Sequence, residues 1–468
     1  MGRKKKKIIE DLEIIDIAAE GKAIGKIEGK VIFVAGAIPG DIVDVQLHRV
    51  KKSHAEGLIL EYKKKSADRI NPECDHFGVC GGCKWQHLPY DKQIAYKNQQ
   101  VIDQFQRIGH IDIEETRPIL GSKEIYFYRN KMEYTFSAKR WLTVEEINSD
   151  EDLGERRALG FHIPKLFDKI VDVTKCHLQD SFSNEIRNEV RDFCFKNDYT
   201  FFDIREQHGL MRNLIIRNTL DEQIMVVVSF FENDKEKIQA LMEHLDKSFP
   251  QITSLMYVVN EKRNDTILDQ DIILFSGKDY MLESMEDLKF KVGPKSFYQT
   301  NAKQAYELYK ITRDFAQLSK DDIVYDLYTG TGTIALFVAK QAKKVIGVEY
   351  VEAAIEDAKK NSIFNKIDNT DFYAGDMKDV LNDNFIEQNG RADVIIVDPP
   401  RAGMHQDVIN TILRANPKRI VYVSCNPATQ ARDIALLNEA YQTKIIQPVD
   451  MFPHTHHVEN VALLERRN

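Results

Sequence analysis

The sequence predicts a multidomain chain: an N-terminal β-barrel, a central α+β part, and a C-terminal α/β domain on a doubly wound parallel sheet. Three observations carry this expectation. Residues 8–62 read as short strands between glycine turns, a spacing that suits a small barrel. From Gly293 onward, apolar strand runs alternate with helical patterns, the signature of parallel strands with crossover helices. The chain has 468 residues, room for several domains at roughly 100–200 residues each.

In the barrel the expected strands are Glu13–Ala18, Gly25–Ile27, Lys30–Phe33, Ile42–Val50 and Gly57–Tyr62. An irregular stretch with three cysteines covers residues 63–88, and a helix is expected over Asp91–Ile108. Residues 124–292 look mixed and β-rich, as in Leu214–Asn218, Ile224–Phe231, Ser254–Val259 and Asp271–Phe275. In the last part Ile323–Leu327 runs into Gly330-Thr331-Gly332, Val345–Val348 stops at Glu349, and Thr370–Tyr373 leads to Asp376. Ala392–Val397 leads to Asp398-Pro399-Pro400-Arg401, Arg419–Ser424 leads to Cys425-Asn426-Pro427, and Val461–Glu465 closes the chain.

A hydrophobic content of 43% is ordinary for a globular protein. No run approaches the ~18 apolar residues of a membrane span, and no apolar signal core follows the basic Met1–Lys7, so a cytoplasmic protein is expected. The net charge of −8 argues against a uniformly basic nucleic-acid coat. Residues 1–66 nonetheless hold 14 Lys and Arg against 10 Asp and Glu, so this arm can meet phosphates locally. Its alternative reading is a solvated lysine tail. Six cysteines are few for this length, and clustered ones in a reducing compartment suggest metal or catalysis.

The turn Asp326 to Gly332 permits close approach of a ligand to the backbone. The third glycine of the dinucleotide fingerprint is missing, since Ala335 stands there. Glu349 ends the second strand, where it can accept ribose hydroxyls, and Asp376 after the third can meet an adenine amino group. This set resembles the seven-stranded methyltransferases that use S-adenosylmethionine (SAM).

Cys425 and Asp398 both lie just past strand ends, the edge of an open α/β sheet where ligands bind. Asp-Pro-Pro also occurs in amine methyltransferases, which place an aromatic next; here it is Arg401. An amine needs no cysteine, because its nitrogen is the nucleophile. Carbon-5 of uracil is a poor nucleophile until a thiolate adds at C6 and makes C5 enolate-like. The adduct must then lose its C5 proton, and Glu459 is the candidate base, with His454, His456 and His457 as rivals. No acid or cysteine at ligand spacing accompanies these histidines, so they are not read as a metal site.

Through Phe297-Tyr298-Gln299-Thr300-Asn301, Asp326–Gly332, Asp398–Gly403, Ser424–Pro427 and Met451–Glu459 the chain resembles the RNA uracil-C5 (5-methyluridine) methyltransferases. The resemblance implies Cys425 as nucleophile and Glu459 as base. It implies Gln299, Tyr328, Gly330, Glu349, Asp376 and Asp398 as contacts to SAM and in the active site, and Phe297 as the aromatic near the flipped base. Thr333 stands where some members carry asparagine.

Cys74, Cys80 and Cys83 with the distant Cys176 can close a four-thiolate site; their spacing leaves zinc and iron–sulfur open. The resemblance implies a [4Fe–4S] cluster, with an OB-like RNA-binding barrel of the TRAM type before it, as in 23S rRNA-type members. Cys194 matches no ligand position and reads as core. The implied division is residues 1–66 for the barrel, 67–88 and 124–292 for a central domain with the cluster, and 89–123 and 293–468 for the catalytic domain. Arg129, Lys131 and Arg140, near Tyr126, Phe127 and Tyr128, are candidate RNA contacts. The expected partner is RNA, 23S rRNA before tRNA, because tRNA enzymes of the family often lack barrel and cluster. No membrane and no obligate protein partner are expected. A non-catalytic RNA-binding protein and a redox or metal sensor are the competing classes.

Overall fold

The computed structural model describes residues 7–164 and 166–467; most of the basic Met1–Lys7 segment lies outside them. Five strands, β1 (Ile8–Ile17), β2 (Ala23–Ile27), β3 (Lys30–Val34), β4 (Ile42–Val50) and β5 (His54–Lys64), close a barrel in the order β1-β2-β3-β5-β4. Alternate residues such as Ile9, Ile32, Val34, Val43 and Val45 point inward and make its core. Its wall continues into the next segment: Arg69 donates to both carboxylate oxygens of the fully buried Asp41, at 3.0 and 2.7 Å.

Helix α1 (Tyr90–Gln104) is shorter than expected and runs into a single π-turn over Phe105–Gly109. Strand β6 (Ile113–Thr116) follows. The central part holds β7 (Lys131–Ser137), α2 (Val144–Asn148), β8 (Ala158–Ile163), β9 (Leu166–Asp172), α3 (Ser181–Lys196), β10 (Met211–Asn218), β11 (Ile224–Phe230), α4 (Lys235–Ser248), β12 (Ser254–Val259) and β13 (Ile273–Gly277). Its sheet runs β13-β12-β11-β10-β7-β8-β9. Helices α3 and α4 cover one face, packing on Tyr134, Phe136, Leu214, Ile216, Val226 and Val228. Cys194 is buried in that core, as expected.

A hairpin, β14 (Met281–Met285) with β15 (Leu288–Val292), leads to α5 (Ala302–Ala316). Then come β16 (Ile323–Leu327), α6 (Thr333–Ala339), β17 (Lys344–Glu349), α7 (Glu352–Phe364), β18 (Thr370–Ala374), α8 (Met377–Val380) and α9 (Asp383–Asn389). The chain ends with β19 (Val394–Val397), α10 (Gln406–Ala415), β20 (Arg419–Ser424), α11 (Pro427–Leu437), β21 (Tyr441–Val449) and β22 (Glu459–Arg466). The sheet order is β18-β17-β16-β19-β20-β22-β21-β6. It has eight strands, not the seven expected, because β6, over 300 residues away from β21 in sequence, adds beside it in parallel. A four-residue polar strand such as Ile113-Glu114-Glu115-Thr116 has no periodicity to announce it. Strand β21 was also unannounced. Core lies on both faces: Val324 of β16 packs to one side, Tyr325 and Leu327 to the other. Chain order reverses where β16 pairs with β17 on one side and β19 on the other, the switch point at which such sheets bind ligands.

Candidate active site

The turn after β16 is built for a ligand. Tyr328 sits at φ 64° in the left-handed region, which is costly for an aromatic residue and persists only where surroundings impose it. Its N–H donates to Val348 O at 2.9 Å. Gly332, at φ 78°, could not carry a Cβ without meeting Ala358 and Phe372 at 2.9–3.0 Å. Gly330 instead faces open space, with nothing within 4 Å of a built Cβ. Glu349 fixes the turn from the next strand, accepting from Gly330 N at 3.2 Å and Val351 N at 3.0 Å. Asp376 begins α8, where its carboxylate accepts from Lys378 N at 3.2 Å. Gln299, Tyr328, Asp376 and Asp398 are all partly accessible, as a cofactor cleft requires.

Sheet register decides the catalytic pair. Ser424 of β20 pairs with Asn460 of β22 in antiparallel fashion, so one step further Cys425 comes opposite Glu459. Cys425 lies between β20 and α11, and Asn426 caps that helix by accepting from Ala428 N at 3.3 Å. Gln430 of α11 locks the pairing, exchanging hydrogen bonds with Asn460 at 2.8 and 3.2 Å. Glu459 is only 7% exposed. Burial first, then the neighbouring Asp398, pushes its carboxyl up to about 8; Arg401 opposes this. Asp398 is pushed up to about 7 by burial and by Asp326, which itself rises to about 7 by burial. The Cys425 thiol rises to about 11, through burial and then Glu459 and Asp398, with Arg401 opposing. The site therefore holds buried acids with neutral forms near pH 7 beside a thiol.

Sequence reasoning missed two members. Tyr309 of α5 is buried beside Gln299, and Asp398, Asp326 and Glu459 all raise its hydroxyl after burial does. On the sequence it is one of several core positions of an amphipathic helix, with nothing to single it out. Arg401, noted only as a departure from an aromatic, is a cation that acts on both Cys425 and Glu459. Phe297 is 68% exposed, as a stacking platform would be. Arg140 is not free for RNA: it bonds the carbonyls of Glu155 and Leu153 and pairs with Glu146 at 2.7 Å, fastening the acidic loop. All three histidines are held neutral, chiefly by burial: His454 and His457 at about 4 and His456 at about 3.

The chain belongs to the tRNA (uracil-5-)-methyltransferase family. The family model of that description matches residues 203–467, and a TRAM domain model matches residues 8–60. An uncharacterized RNA methyltransferase of Bacteroides thetaiotaomicron is 58% identical over 454 residues, 96% of this chain and all of the relative. One from Chlorobaculum tepidum is 39% identical, covering 99% of this chain and 98% of the relative. The crystal structure of the Pyrococcus abyssi tRNA (uracil-54, C5)-methyltransferase with S-adenosyl-L-homocysteine is 28% identical, with a TM-score of 0.75, covering 97% of this chain and 100% of that one. This family member is thus a SAM-dependent RNA methyltransferase with an N-terminal TRAM barrel. Among its described residues no helix is long and apolar enough to cross a membrane.

The four cysteines of the expected cluster line one cavity of about 490 Å³, between the central sheet and the loop before Glu459, which contributes Thr455 and His457. Cys176 is buried and the other three are partly so. Gly82 N points at Cys80 Sγ at 3.4 Å. Among the described residues no three His, Cys, Asp or Glu side chains are grouped closely enough to hold a single metal ion. This argues against a closed zinc site, in which each sulfur stands about 2.3 Å from one ion.

Proposed function

We propose that this protein methylates C5 of a uridine in folded RNA through a covalent adduct on Cys425. The observation that carries the reading is the register of β20 and β22, which sets Cys425 against a buried carboxyl at the mouth of the cofactor turn. SAM, when bound, supplies a methyl group on a sulfonium. Glu349 and Asp376 hold its ribose and adenine, Tyr328 and Gly330 line the turn, and Gln299 and Asp398 stand at the reacting end. Phe297 stacks on the extruded base, whose removal from the RNA fold costs a few kcal/mol.

The Cys425 thiol loses its proton to solvent and the thiolate sulfur bonds to C6 as the C5–C6 π bond opens. The freed pair at C5 takes the methyl group, and the donor sulfonium keeps the C–S bonding pair and leaves as a neutral thioether. Glu459 then removes the C5 proton, the C5–C6 double bond re-forms and the thiolate leaves. The start of α11 favours the thiolate, and Arg401 offsets the nearby carboxylates.

For the RNA we propose 23S rRNA, on the TRAM barrel and the four cysteines. A second reading, a tRNA uridine, is favoured by the Pyrococcus abyssi tRNA enzyme, which matches nearly the whole chain and so weakens the argument from the barrel. Cys74, Cys80, Cys83 and Cys176 would hold a [4Fe–4S] cluster. A cubane takes one thiolate on each of four irons, so its sulfurs stand farther apart than around a single ion, in keeping with a wide cavity. Its role would be to brace this part of the fold. Anaerobically purified protein should then contain iron and sulfide and be coloured; a colourless, iron-free protein ends this assignment.

Incubation with labelled SAM and either purified rRNA or purified tRNA tests the function. Label is expected in 5-methyluridine of one RNA class and is lost in Cys425→Ala; transfer to uracil C5 by that variant overturns the mechanism.

A further inference from the structure

The face of the central sheet away from α3 and α4 carries a second cavity, of about 130 Å³, with no part in the chemistry above. Its floor is made by β7 and β10. Asn213 lies opposite Thr135 on one side and Ser229 on the other. The register of β10 against β11 shifts between Met211 and Asn213, and such a bulge turns a side chain out of strict alternation. Arg212 and Asn213, consecutive in the chain, therefore line the same cavity.

Both are 3% exposed, and neither is satisfied. Arg212 Nη1 donates to Asn260 O and Lys262 O, each at 2.6 Å, but its Nε–H has no partner. Asn213 Nδ2 reaches Thr135 Oγ1 at 3.5 Å, while its Oδ1 has none. Leaving a buried polar group without a partner is costly, so two such groups on residues lining one cavity mark a place for a ligand or ordered water. The free groups are a donor, the Arg212 Nε–H, and an acceptor, the Asn213 Oδ1, on consecutive residues of the lining. Their complement is a flat edge with an acceptor beside a donor, as on a nucleobase.

The mouth suits the same guest. Phe167 at its rim is 60% exposed, with the Arg205 guanidinium 5.3 Å from its ring centre. Arg263 also lines the cavity. Aromatics and cations together form the usual platform for unpaired bases. His162 lines both this cavity and the cysteine-lined one, whose far wall includes Thr455 and His457 of the loop leading to Glu459. His162 is thus the residue the two cavities share.

We infer that this cavity captures a second, unpaired nucleobase of the substrate RNA, remote from the methylated uridine. Arg212 and Asn213 read its edge and Phe167 stacks on its face. The inference rests on the protein acting on RNA. The site would restrict the enzyme to RNAs that present two exposed bases at a set separation.

Ultraviolet cross-linking of the full-length protein to total RNA from a strain lacking its gene, with mass spectrometry of the peptides, tests this without needing turnover. A nucleotide on the peptide holding Phe167 or Asn213 is expected, lost in Asn213→Leu. Methyl transfer with Phe167→Ala is the second arm, since that exposed side chain can be cut without disturbing the core. KM for RNA should rise about tenfold, with kcat and the KM for SAM unchanged. If the wild type gives no such cross-link, and Phe167→Ala leaves the KM for RNA unaltered, the cavity holds only water. That outcome is distinct from failure of the proposed function, in which the wild type itself transfers no methyl group to uracil.

Discussion

Cys425 and Glu459 owe their reactivity to what surrounds them. A thiol pushed up to about 11 and a carboxyl pushed up to about 8 start the reaction with their protons on. Glu459 acts as a base only when ionised. The raised value means its basic form is scarce below about 8, so kcat/KM should first climb near pH 8, above the ordinary carboxylate range, and continue upward as the Cys425 thiol, pushed up to about 11, ionises. Asp398→Asn removes a like charge and should move that rise to lower pH; a rise at the ordinary carboxylate range in the wild type would contradict the geometry. Glu459→Gln keeps the nucleophile and loses the base. It should form the Cys425–RNA adduct and fail to resolve it, giving a shifted band on a denaturing gel in the presence of SAM. The sequence singled out this pair as candidates, because the proposed uracil carbon chemistry needs a thiol and a base. Tyr309 and Arg401 were not, because nothing in a helix pattern or an Asp-Pro-Pro-Arg run says which groups they will face.

At the scale of elements, the decisive piece is the loop between β21 and β22, which delivers Glu459. Helix α1 holds it. Lys97 and Asp450, both fully buried, pair at 2.6 Å, and Lys97 also donates to Phe452 O at 3.1 Å. Tyr90 donates to the other oxygen of Asp450 at 2.8 Å. Gln93 Oε1 accepts from His454 N at 2.9 Å, while Lys84 and Trp85 donate their N–H groups to His454 O. His454 itself is left-handed, at φ 63°. Breaking a buried pair by removing one partner costs about 3–5 kcal/mol, because the other charge is left buried alone. Lys97→Met should therefore lower stability by about that much in denaturant unfolding. Its kcat should fall as well, and Lys97→Met with Asp450→Leu should recover stability but not kcat. A helix was expected here from its pattern. That it braces a loop some 350 residues later could not be read, since a buried lysine looks like any surface lysine in a helix.

At the scale of the molecule, the barrel has its own closed core yet is tied to the rest. Asp41 binds Arg69, and Trp85, 2% exposed, packs with Ile38 of the barrel and Leu88. Two RNA-contacting modules on one chain raise each other's effective concentration. Deleting residues 1–66 should lower RNA affinity about tenfold or more while SAM affinity stays within about twofold, as equilibrium binding to each would read. Equal loss of both would mean that the barrel serves stability alone. The doubly wound sheet was legible because its strands are apolar runs that end in chemistry-bearing turns, and the barrel because glycine turns punctuate it. The eighth strand and the free face of the central sheet were not, since a short polar strand and a buried Arg-Asn pair carry no periodic signal. The sequence by itself determined the family, because its motifs put particular residue types at strand ends of a doubly wound sheet. Only the tertiary structure decided which side chains meet. Register across β20 and β22, the bulge in β10 and the reach of α1 are long-range pairings, and a local pattern records no distance between residues far apart in the chain.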